Sequence, residues 1–187
     1  MSLFATDKER GILSLFKKDD PSAMSVLYGE YAGWLTAVCS RYVGDADDCK
    51  DVLQETFIKI FTRIGTFEYR GKGSLKAWAG RIAVNEALQM LRRKAATPVE
   101  NAGTLPDLPD EEPDVESLSA QEIADMIKKL PQGYRTVFNL YAVEGRSHKE
   151  IAATLGIRPD TSASQFHKAK NMLAKMINEY KTQKELQ

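Results

Sequence analysis

The sequence of 187 residues lacks the long apolar runs that mark membrane-spanning and secreted proteins. A membrane-spanning helix needs about 18 or more predominantly apolar residues. The longest uncharged candidate is much shorter, YAGWLTAVCS at 31–40. The N-terminal segment MSLFATDKER also lacks the apolar stretch of a signal peptide. We therefore expect a cytoplasmic protein.

Residues that hold metals or perform redox chemistry are scarce, with 2 cysteines and 2 histidines. Cys39 and Cys49 have neither CxxC spacing nor a neighbouring histidine, so they carry no metal or redox signature. Free cysteine is commonly buried, and we expect two buried thiols. His148 and His167 are far apart in sequence, and we interpret each as a solvent or phosphate contact.

The usual catalytic motifs are missing as well. The chain contains no GxxxxGK[ST] phosphate loop, no HExxH and no GxSxG. We therefore expect no catalytic residues, no cofactor, no metal and no small-molecule substrate, which makes an enzyme the least favoured class.

Charge is balanced overall but divides the chain into three zones. Residues 1–95 contain 15 Lys/Arg and 12 Asp/Glu. Residues 96–119 contain no Lys/Arg and 7 Asp/Glu, and residues 120–187 contain 11 Lys/Arg and 7 Asp/Glu. The middle zone also holds four of the 7 prolines and shows no helical or strand period. It predicts an acidic, proline-rich linker between two separately folded domains. The linker is either a solvated spacer or a segment whose acidity competes with nucleic acid or lines a basic channel in a partner.

Apolar residues in the first zone recur three and four positions apart, and this spacing predicts helices. No alternating run reaches five residues, so strands are hard to place anywhere. A helix over 48–64 would present one apolar face and one acidic face, the latter formed by Asp48, Asp51 and Glu55. Glu55 and Lys59 have the spacing of an ordinary i,i+4 ion pair. The predicted apolar face consists of Val52, Leu53, Thr56, Phe57, Ile60, Phe61 and Ile64.

The segment FEYRGKGS at 67–74 separates that helix from the next one. Gly71 and Gly73 interrupt the chain, and Ser74 is placed to cap the following helix. Tyr69 lies between these glycines and the preceding helix, beside two cations, Arg70 and Lys72. Such an arrangement suits stacking on an unpaired base while the cations hold the DNA backbone. In the following helix a core stripe is expected at Leu75, Trp78, Ala79, Ile82 and Ala83.

The last zone shows the local chemistry of a helix-turn-helix. A first helix is expected to begin near Pro131, which suits a first helical turn, and to end at Gly145. Its apolar mass comes from Val137, Phe138, Leu140 and Tyr141. Ser147 and Glu150 form a capping box, Gly156 permits the positive φ of a tight turn, and Pro159 suits the first turn of the next helix.

The helix after that turn is expected to have two faces. Ser162, Phe166, Ala169, Leu173, Met176 and Ile177 would face the core. The opposite side carries Thr161, Ser164, Lys168 and Asn171, with Gln165 and His167 flanking it. Small polar residues near the N-terminal end and a lysine further on fit a helix in the major groove of DNA. An ordinary helical hairpin that happens to carry lysines remains the alternative.

Three segments in order carry a family resemblance: DVLQETFIKIF, GSLKAWAGRIAVNEALQMLRRKA and, after the acidic gap, LPQGYRTVFNLYAVEGRSHKEIAATLGIRPDTSASQFHKAKNML. Together they closely resemble the extracytoplasmic-function (ECF) class of bacterial RNA polymerase sigma factors. The resemblance spans nearly the whole chain.

This resemblance implies an all-α fold of two small helical domains and a promoter-recognition subunit without catalysis of its own. A region 2-like domain at 1–95 would dock on the clamp coiled coil of the β′ subunit of core RNA polymerase and recognise and melt the −10 element. A region 4-like helix-turn-helix at 120–187 would bind the −35 element, and the linker at 96–119 would thread the RNA-exit path. Proteins of this family are commonly held inactive by a membrane-anchored anti-sigma factor, and the resemblance implies such a partner here.

The resemblance assigns roles to three groups of residues. The residues expected to dock on the polymerase are Asp48, Asp51, Gln54 and Glu55. Those expected to bind the −10 element are Tyr69, Arg70, Lys72, Ser74, Lys76, Arg81 and Asn85. Those expected to bind the −35 element are Arg158, Thr161, Ser164, Gln165, His167 and Lys168. The chain departs from the pattern at Ser162, where relatives usually have Val or Ile, and at Ala163, where many have Lys or Arg. The first departure would loosen the recognition helix and the second would remove one DNA contact.

Two other classes are compatible with parts of the sequence. A helix-turn-helix regulator that binds duplex DNA without polymerase would need no exposed acidic face in the first domain. A purely structural helical protein would bind neither DNA nor polymerase. Run-off transcription with core polymerase discriminates among the three classes.

Overall fold

A computed structural model of the protein describes residues 7–95 and 118–185. The chain divides into two compact units, Met1–Thr97 and Pro98–Gln187. All but the last two residues of the predicted linker lie outside the described residues. Of those two, Leu118 packs against the core of the C-terminal unit and Ser119 caps its first helix.

The described residues are helical and contain no strand, so the all-α prediction is confirmed. The N-terminal unit comprises α1 (Lys8–Lys17), α2 (Ala23–Tyr42), α3 (Ala46–Arg63), a 3₁₀ turn (Ile64–Thr66) and α4 (Ser74–Ala95). The C-terminal unit comprises α5 (Ala120–Lys128), α6 (Gln132–Phe138), a π-helical turn (Asn139–Val143), α7 (His148–Leu155) and α8 (Pro159–Glu185). None of these helices is both long and apolar enough to span a membrane.

In the N-terminal unit, α2, α3 and α4 pack on one another around a continuous apolar core. The predicted apolar face of α3 is confirmed at Val52, Thr56, Phe57, Ile60 and Ile64, which are all buried. Burial of each Val, Ile or Phe side chain among them contributes about 1.5–3 kcal/mol to folding. The other fully buried residues of this core include Leu27, Leu35, Tyr42, Leu75, Val84 and Leu88.

Trp78 differs from its predicted place in the core stripe of α4. Leu75, Ala79, Ile82 and Ala83 are buried as expected, whereas the indole is only half-buried. Its ring packs on Phe67 with centroids 5.1 Å apart. Trp78 therefore covers the start of the segment that contains Gly71 and Gly73.

Both cysteines are free and buried, as the sequence indicated. Burial raises the pKa of the Cys39 thiol to about 12, and it also raises that of Cys49. Since the thiolate is the reactive form, both residues behave as small apolar core groups.

Local signals in the C-terminal unit place its helix ends correctly. The capping box of Ser147 and Glu150 is present at α7, and Gly156 ends that helix with φ +70°. Pro159 is the first residue of α8. Pro131 immediately precedes α6 rather than lying in its first turn. The core of this unit includes Met126, Leu130, Tyr134, Ala169, Leu173 and Ile177.

The π-helical turn after α6 was not foreseen. The Asn139 side chain is buried and its amide donates to the carbonyl of Arg135 at 2.9 Å. Beyond this turn, Gly145 reverses the chain with φ +67°. Tyr141, part of the apolar mass predicted for this helix, is 39% exposed and lies over His148 with near-parallel rings 4.4 Å apart.

Candidate functional site

The acidic face predicted on α3 is present and mostly exposed. Asp51, Gln54 and Glu55 are exposed side by side on the outer face of the helix. Asp48, one turn earlier, is half-buried because its carboxylate pairs with the ammonium of Lys94 at the end of α4. We call Asp51, Gln54 and Glu55 the α3 acidic surface.

A cleft between α3 and α4 extends this surface. It is lined by Asp51, Val52, Gln54 and Glu55 from α3 and by Glu86, Met90 and Arg93 from α4. Sequence reasoning missed the α4 side, although spacings of four and three residues place its three members on one helical face. Anything that docks here would meet acidic groups on α3 and both a carboxylate, Glu86, and a cation, Arg93, on α4.

The predicted i,i+4 pair of Glu55 with Lys59 was wrong. The Lys59 ammonium contacts the carboxylate of Glu86 instead, with Nζ 2.6 Å from Oε1. Glu86 is only 8% exposed, and a buried carboxylate requires a partner. Glu55 is thereby left exposed, with its charge directed to solvent.

The loop at 67–73, which we call the glycine loop, joins the 3₁₀ turn after α3 to the start of α4. Its two glycines both have positive φ, +120° at Gly71 and +90° at Gly73, a conformation that other residues rarely adopt. Arg70 is 81% exposed, with Nη2 3.6 Å from the equally exposed carboxylate of Glu68. Lys72 is exposed at the tip of the loop. Two cations therefore project from a chain reversal that depends on glycine.

Tyr69 is less available than its position suggested. Its hydroxyl donates to the carboxylate of Asp7, and the guanidinium carbon of Arg10 lies 4.9 Å from the ring centroid. The Tyr69 hydrogen bond lowers the pKa of Asp7, and the same contact raises the pKa of Tyr69. The expected free stacking platform is thus half-buried, with Arg10 over its ring.

The predicted capping role of Ser74 was also wrong. Its hydroxyl accepts a hydrogen bond from the backbone N–H of Arg70 at 3.2 Å, which closes the loop. The amides at the start of α4 bind the Glu9 carboxylate of α1 instead: Oε2 accepts from Gly73 at 2.9 Å and Leu75 at 3.2 Å, and Oε1 accepts from Lys76 at 3.0 Å. A residue over 60 positions away in the sequence caps this helix.

Three more candidate DNA contacts lie on α4. Arg81 and Asn85 are exposed, one turn apart on the outer face. The Lys76 ammonium lies 4.9 Å from the ring of Trp34 on α2, a cation–π contact. These side chains share the N-terminal half of α4 with the loop that precedes it.

The candidate DNA face of α8 is formed by its first three turns. Arg158 just before the helix is 82% exposed and pairs with Asp160 at 3.2 Å, and Ser164 is exposed. Thr161 and Lys168 are half-buried. These residues present polar groups near the N-terminal end of the helix and a lysine one turn further on.

The two flanking residues of α8 differ in their surroundings. The His167 ring nitrogen Nε2 lies 3.2 Å from the Asn171 amide, along the helix. The Gln165 carboxamide lies beside Gly133 of α6: its Nε2 atom is 3.8 Å from the position that a Cβ atom would take if Gly133 were alanine. Gln165 therefore belongs to the edge of the recognition face next to α6.

His148 is not the solvent or phosphate contact that the sequence suggested. It is half-buried, stacks on Tyr141, and its Nδ1 lies 3.0 Å from the hydroxyl of Ser162. Ser162 itself is fully buried. The hydrogen bond gives the buried hydroxyl of Ser162 a partner.

Comparison with known families assigns each unit. The model of sigma-70 region 2 matches residues 27–97, and that of sigma-70 region 4 matches residues 114–173. Among curated proteins, the ECF sigma factor SigW of Bacillus subtilis is 30% identical over 176 residues, which cover 87% of this chain and 93% of SigW. The ECF sigma-E factor of Haemophilus influenzae is 29% identical over 182 residues, which cover 90% of this chain and 95% of that factor.

Two solved structures are also similar to the chain. The sigma factor RpoE in complex with the anti-sigma factor NepR from Bartonella quintana has a TM-score of 0.48 and 21% identity, covering 84% of this chain and 98% of RpoE. CnrH in complex with the cytosolic domain of CnrY has a TM-score of 0.49 and 22% identity, and the match covers 92% of this chain and 99% of CnrH.

A region 2 unit followed by a region 4 helix-turn-helix defines a sigma-70-type transcription factor. Within that class the chain belongs to the ECF RNA polymerase sigma factors, and it directs transcription initiation by RNA polymerase. The family prediction is confirmed. The alternative, a helix-turn-helix regulator that acts without polymerase, is not favoured because the N-terminal unit is itself a sigma-70 region 2.

Proposed function

We propose that the α3 acidic surface docks this sigma factor on the clamp coiled coil of the β′ subunit of core RNA polymerase. The observation that carries this assignment is the exposure of Asp51, Gln54 and Glu55 together, with Lys59 drawn away to Glu86. Charge complementarity with a basic partner orients docking and excludes wrong partners. Asp48 lies at the edge of this surface and would contribute to docking through its pair with Lys94.

The glycine loop and the first half of α4 are proposed to capture the non-template strand of the −10 element. The exposed cations Arg70, Lys72 and Arg81 would contact the strand, with Asn85 available for base edges. Lys76 would contact the strand from its place over Trp34. Ser74 closes the loop, and Tyr69 would offer an aromatic surface once DNA displaces Arg10.

The N-terminal part of α8 is proposed to read the −35 element in the major groove. Ser164 and Thr161 lie nearest the bases in this arrangement, and Arg158 and Lys168 contact phosphates. Gln165 and His167 border the face on its two sides. Ala163 supplies no cation at a position where many relatives have one.

The remaining assignments follow from family membership. As a regulatory subunit, the protein would contribute no catalysis of its own and would act in the cytoplasm with the polymerase. An anti-sigma factor that covers both DNA-binding surfaces is a proposed partner. The segment at 96–119 would follow the RNA-exit path of the polymerase.

The docking assignment is tested by reversing charge on the α3 acidic surface. We expect the double variant Asp51→Arg, Glu55→Arg to lose binding to core polymerase and run-off transcription. Its thermal unfolding should be close to wild type because both side chains are exposed. Binding is measured by fluorescence anisotropy of labelled protein titrated with core enzyme.

A matched control changes the same number of charges elsewhere in the unit. Glu30→Arg with Glu68→Arg reverses two exposed carboxylates that lie outside the α3 acidic surface. This control should retain core affinity. Wild-type core affinity in the Asp51, Glu55 double variant would refute the docking assignment.

A further inference from the structure

Glu9 is a buried carboxylate at the first turn of α1, with 6% of its surface exposed. Removing a carboxylate from water is costly unless hydrogen bonds replace its hydration. Glu9 has four such bonds. Three come from backbone amides of Gly73, Leu75 and Lys76, and the fourth comes from the hydroxyl of Tyr31 on α2 at 3.3 Å.

The three donor amides belong to the N-terminus of α4: Gly73 immediately precedes the helix, and Leu75 and Lys76 lie in its first turn. The first turn of a helix leaves its N–H groups without intrahelical partners, and the helix dipole favours a negative charge there. Helix N-termini bind phosphate for the same reason. Because Glu9 occupies this position, phosphates of the −10 strand would have to be bound by side chains such as Arg70 and Lys72.

The same turn of α1 also holds the other end of the loop. Asp7 accepts from the Tyr69 hydroxyl, and Arg10 lies over the Tyr69 ring. Asp7 is at the same time the N-cap of α1, with Oδ1 accepting from the Glu9 amide at 3.1 Å. The segment from Tyr69 to Lys76 is therefore tied at both ends to one helical turn.

We propose that Glu9 is a positioning residue for −10 recognition: it orders the glycine loop before the melted strand arrives. This inference rests on the proposed −10 role of the loop. Glycine has more conformational freedom to lose than any other residue, and this loop contains two glycines, Gly71 and Gly73. Ordering the loop in the free protein removes that entropic cost from the DNA-binding step. Glu9 acts through the loop and does not itself contact DNA.

The test uses the holoenzyme and a labelled single-stranded oligonucleotide with the non-template −10 segment of a promoter that the holoenzyme transcribes. Glu9→Ala removes all the side-chain acceptors, and Glu9→Gln keeps the shape and one acceptor oxygen. We expect Glu9→Ala to weaken single-strand affinity by about tenfold, as for the loss of one to two hydrogen bonds to a charged group. Glu9→Gln should show an intermediate loss, while affinity for core polymerase and for −35 duplex stays at the wild-type level.

The matched control is Glu30→Gln, which removes the exposed Lys8–Glu30 pair between α1 and α2 at 3.1 Å and leaves Glu9 in place. It should keep wild-type affinity in all three measurements. Should Glu9→Ala fail to fold, the Glu9→Gln variant decides. Wild-type single-strand affinity in a folded Glu9 variant, or an equal loss of core and −35 affinity, would overturn the inference.

Arg70→Ala with Lys72→Ala separates this inference from the function on which it rests. Loss of single-strand affinity in that variant, together with normal affinity in the Glu9 variants, would refute only the role of Glu9. Normal single-strand affinity in the Arg70, Lys72 double variant as well as in the Glu9 variants would refute the −10 assignment of the loop itself.

Discussion

At the scale of single residues, Ser162 shows how a helix-turn-helix core accommodates a polar group. The sequence predicted that serine here would loosen the packing of the recognition helix. In the structure its hydroxyl meets His148 Nδ1, and the His148 ring is held by Tyr141, which also contacts Phe166 with centroids 4.4 Å apart. A buried polar group with a partner costs little, whereas the same group without one costs about 1–3 kcal/mol.

Ser162→Ala is therefore expected to lower the free energy of unfolding of the C-terminal unit by about 1 kcal/mol, because His148 loses its partner. Urea denaturation of the full chain, followed by the NMR signals of this unit, measures the change. Ser164→Ala, on the exposed side of the same helix, is the control and should change stability by less than about 0.5 kcal/mol. Equal effects from the two substitutions would contradict a structural role for the Ser162–His148 contact.

At the scale of elements, α5 docks on α8 through a carboxylate that has two functions. Glu122 completes the capping box of α5 with Ser119, and its other oxygen accepts from the Tyr180 hydroxyl of α8. The Lys184 ammonium lies 3.9 Å from the same oxygen. The Tyr180 and Ser119 hydrogen bonds lower the pKa of Glu122 to about 2.

This shift predicts a pH dependence with a definite sign. The pKa is lower in the folded chain than its ordinary value of 4.5, so folding favours the ionised form. The stabilisation by Glu122 is present in full above pH 4.5 and is lost as the pH falls toward 2. We expect the stability difference between wild type and Glu122→Gln to shrink across that window.

Tyr180→Phe provides the matched test of the cause. It removes the hydroxyl that contributes most to the shift and leaves the capping box intact. The pKa of Glu122, followed by NMR of its side-chain carboxyl, should rise toward the ordinary value. An unchanged pKa in this variant would show that the contact with α8 does not set it.

At the scale of the whole molecule, a net charge of zero results from opposite charges in separate zones. The charges for which we propose functions lie on particular faces of each folded unit: the α3 acidic surface, the cations of the glycine loop and those of α8. The seven acidic residues at 96–119 balance the two basic zones. All seven fall outside the described residues, and their role stays a prediction.

Neutralising that segment tests the prediction. Replacing its seven Asp and Glu residues with Asn and Gln should weaken binding to core polymerase and reduce the salt dependence of that binding, if the segment follows a basic channel. A segment of the same composition in scrambled order is the control and should retain most of the affinity. Unchanged core affinity in the neutralised variant would favour a solvated spacer.

The sequence by itself determined the features that depend on neighbours in the chain. Helix periodicity, the capping box of Ser147 and Glu150, the turn at Gly156 and the start of α8 at Pro159 each involve residues within about four positions. The three segments that carry the family resemblance, in their order along the chain, were also sufficient to place it among the ECF sigma factors. Local propensity and backbone geometry act over this range, so the pattern can be predicted without a structure.

Only the tertiary structure decided which distant side chains meet. Ser74 had the residue type of a cap, yet Glu9, 67 positions before Lys76, binds the first amides of α4. Lys59 had a partner four residues away and pairs instead with Glu86, 27 positions on. In both cases burial decides, because a carboxylate enclosed by packed helices must be compensated, whereas an exposed one is satisfied by water. Which carboxylate becomes enclosed depends on how α1, α3 and α4 pack, and the spacing of residues along one helix does not contain that information.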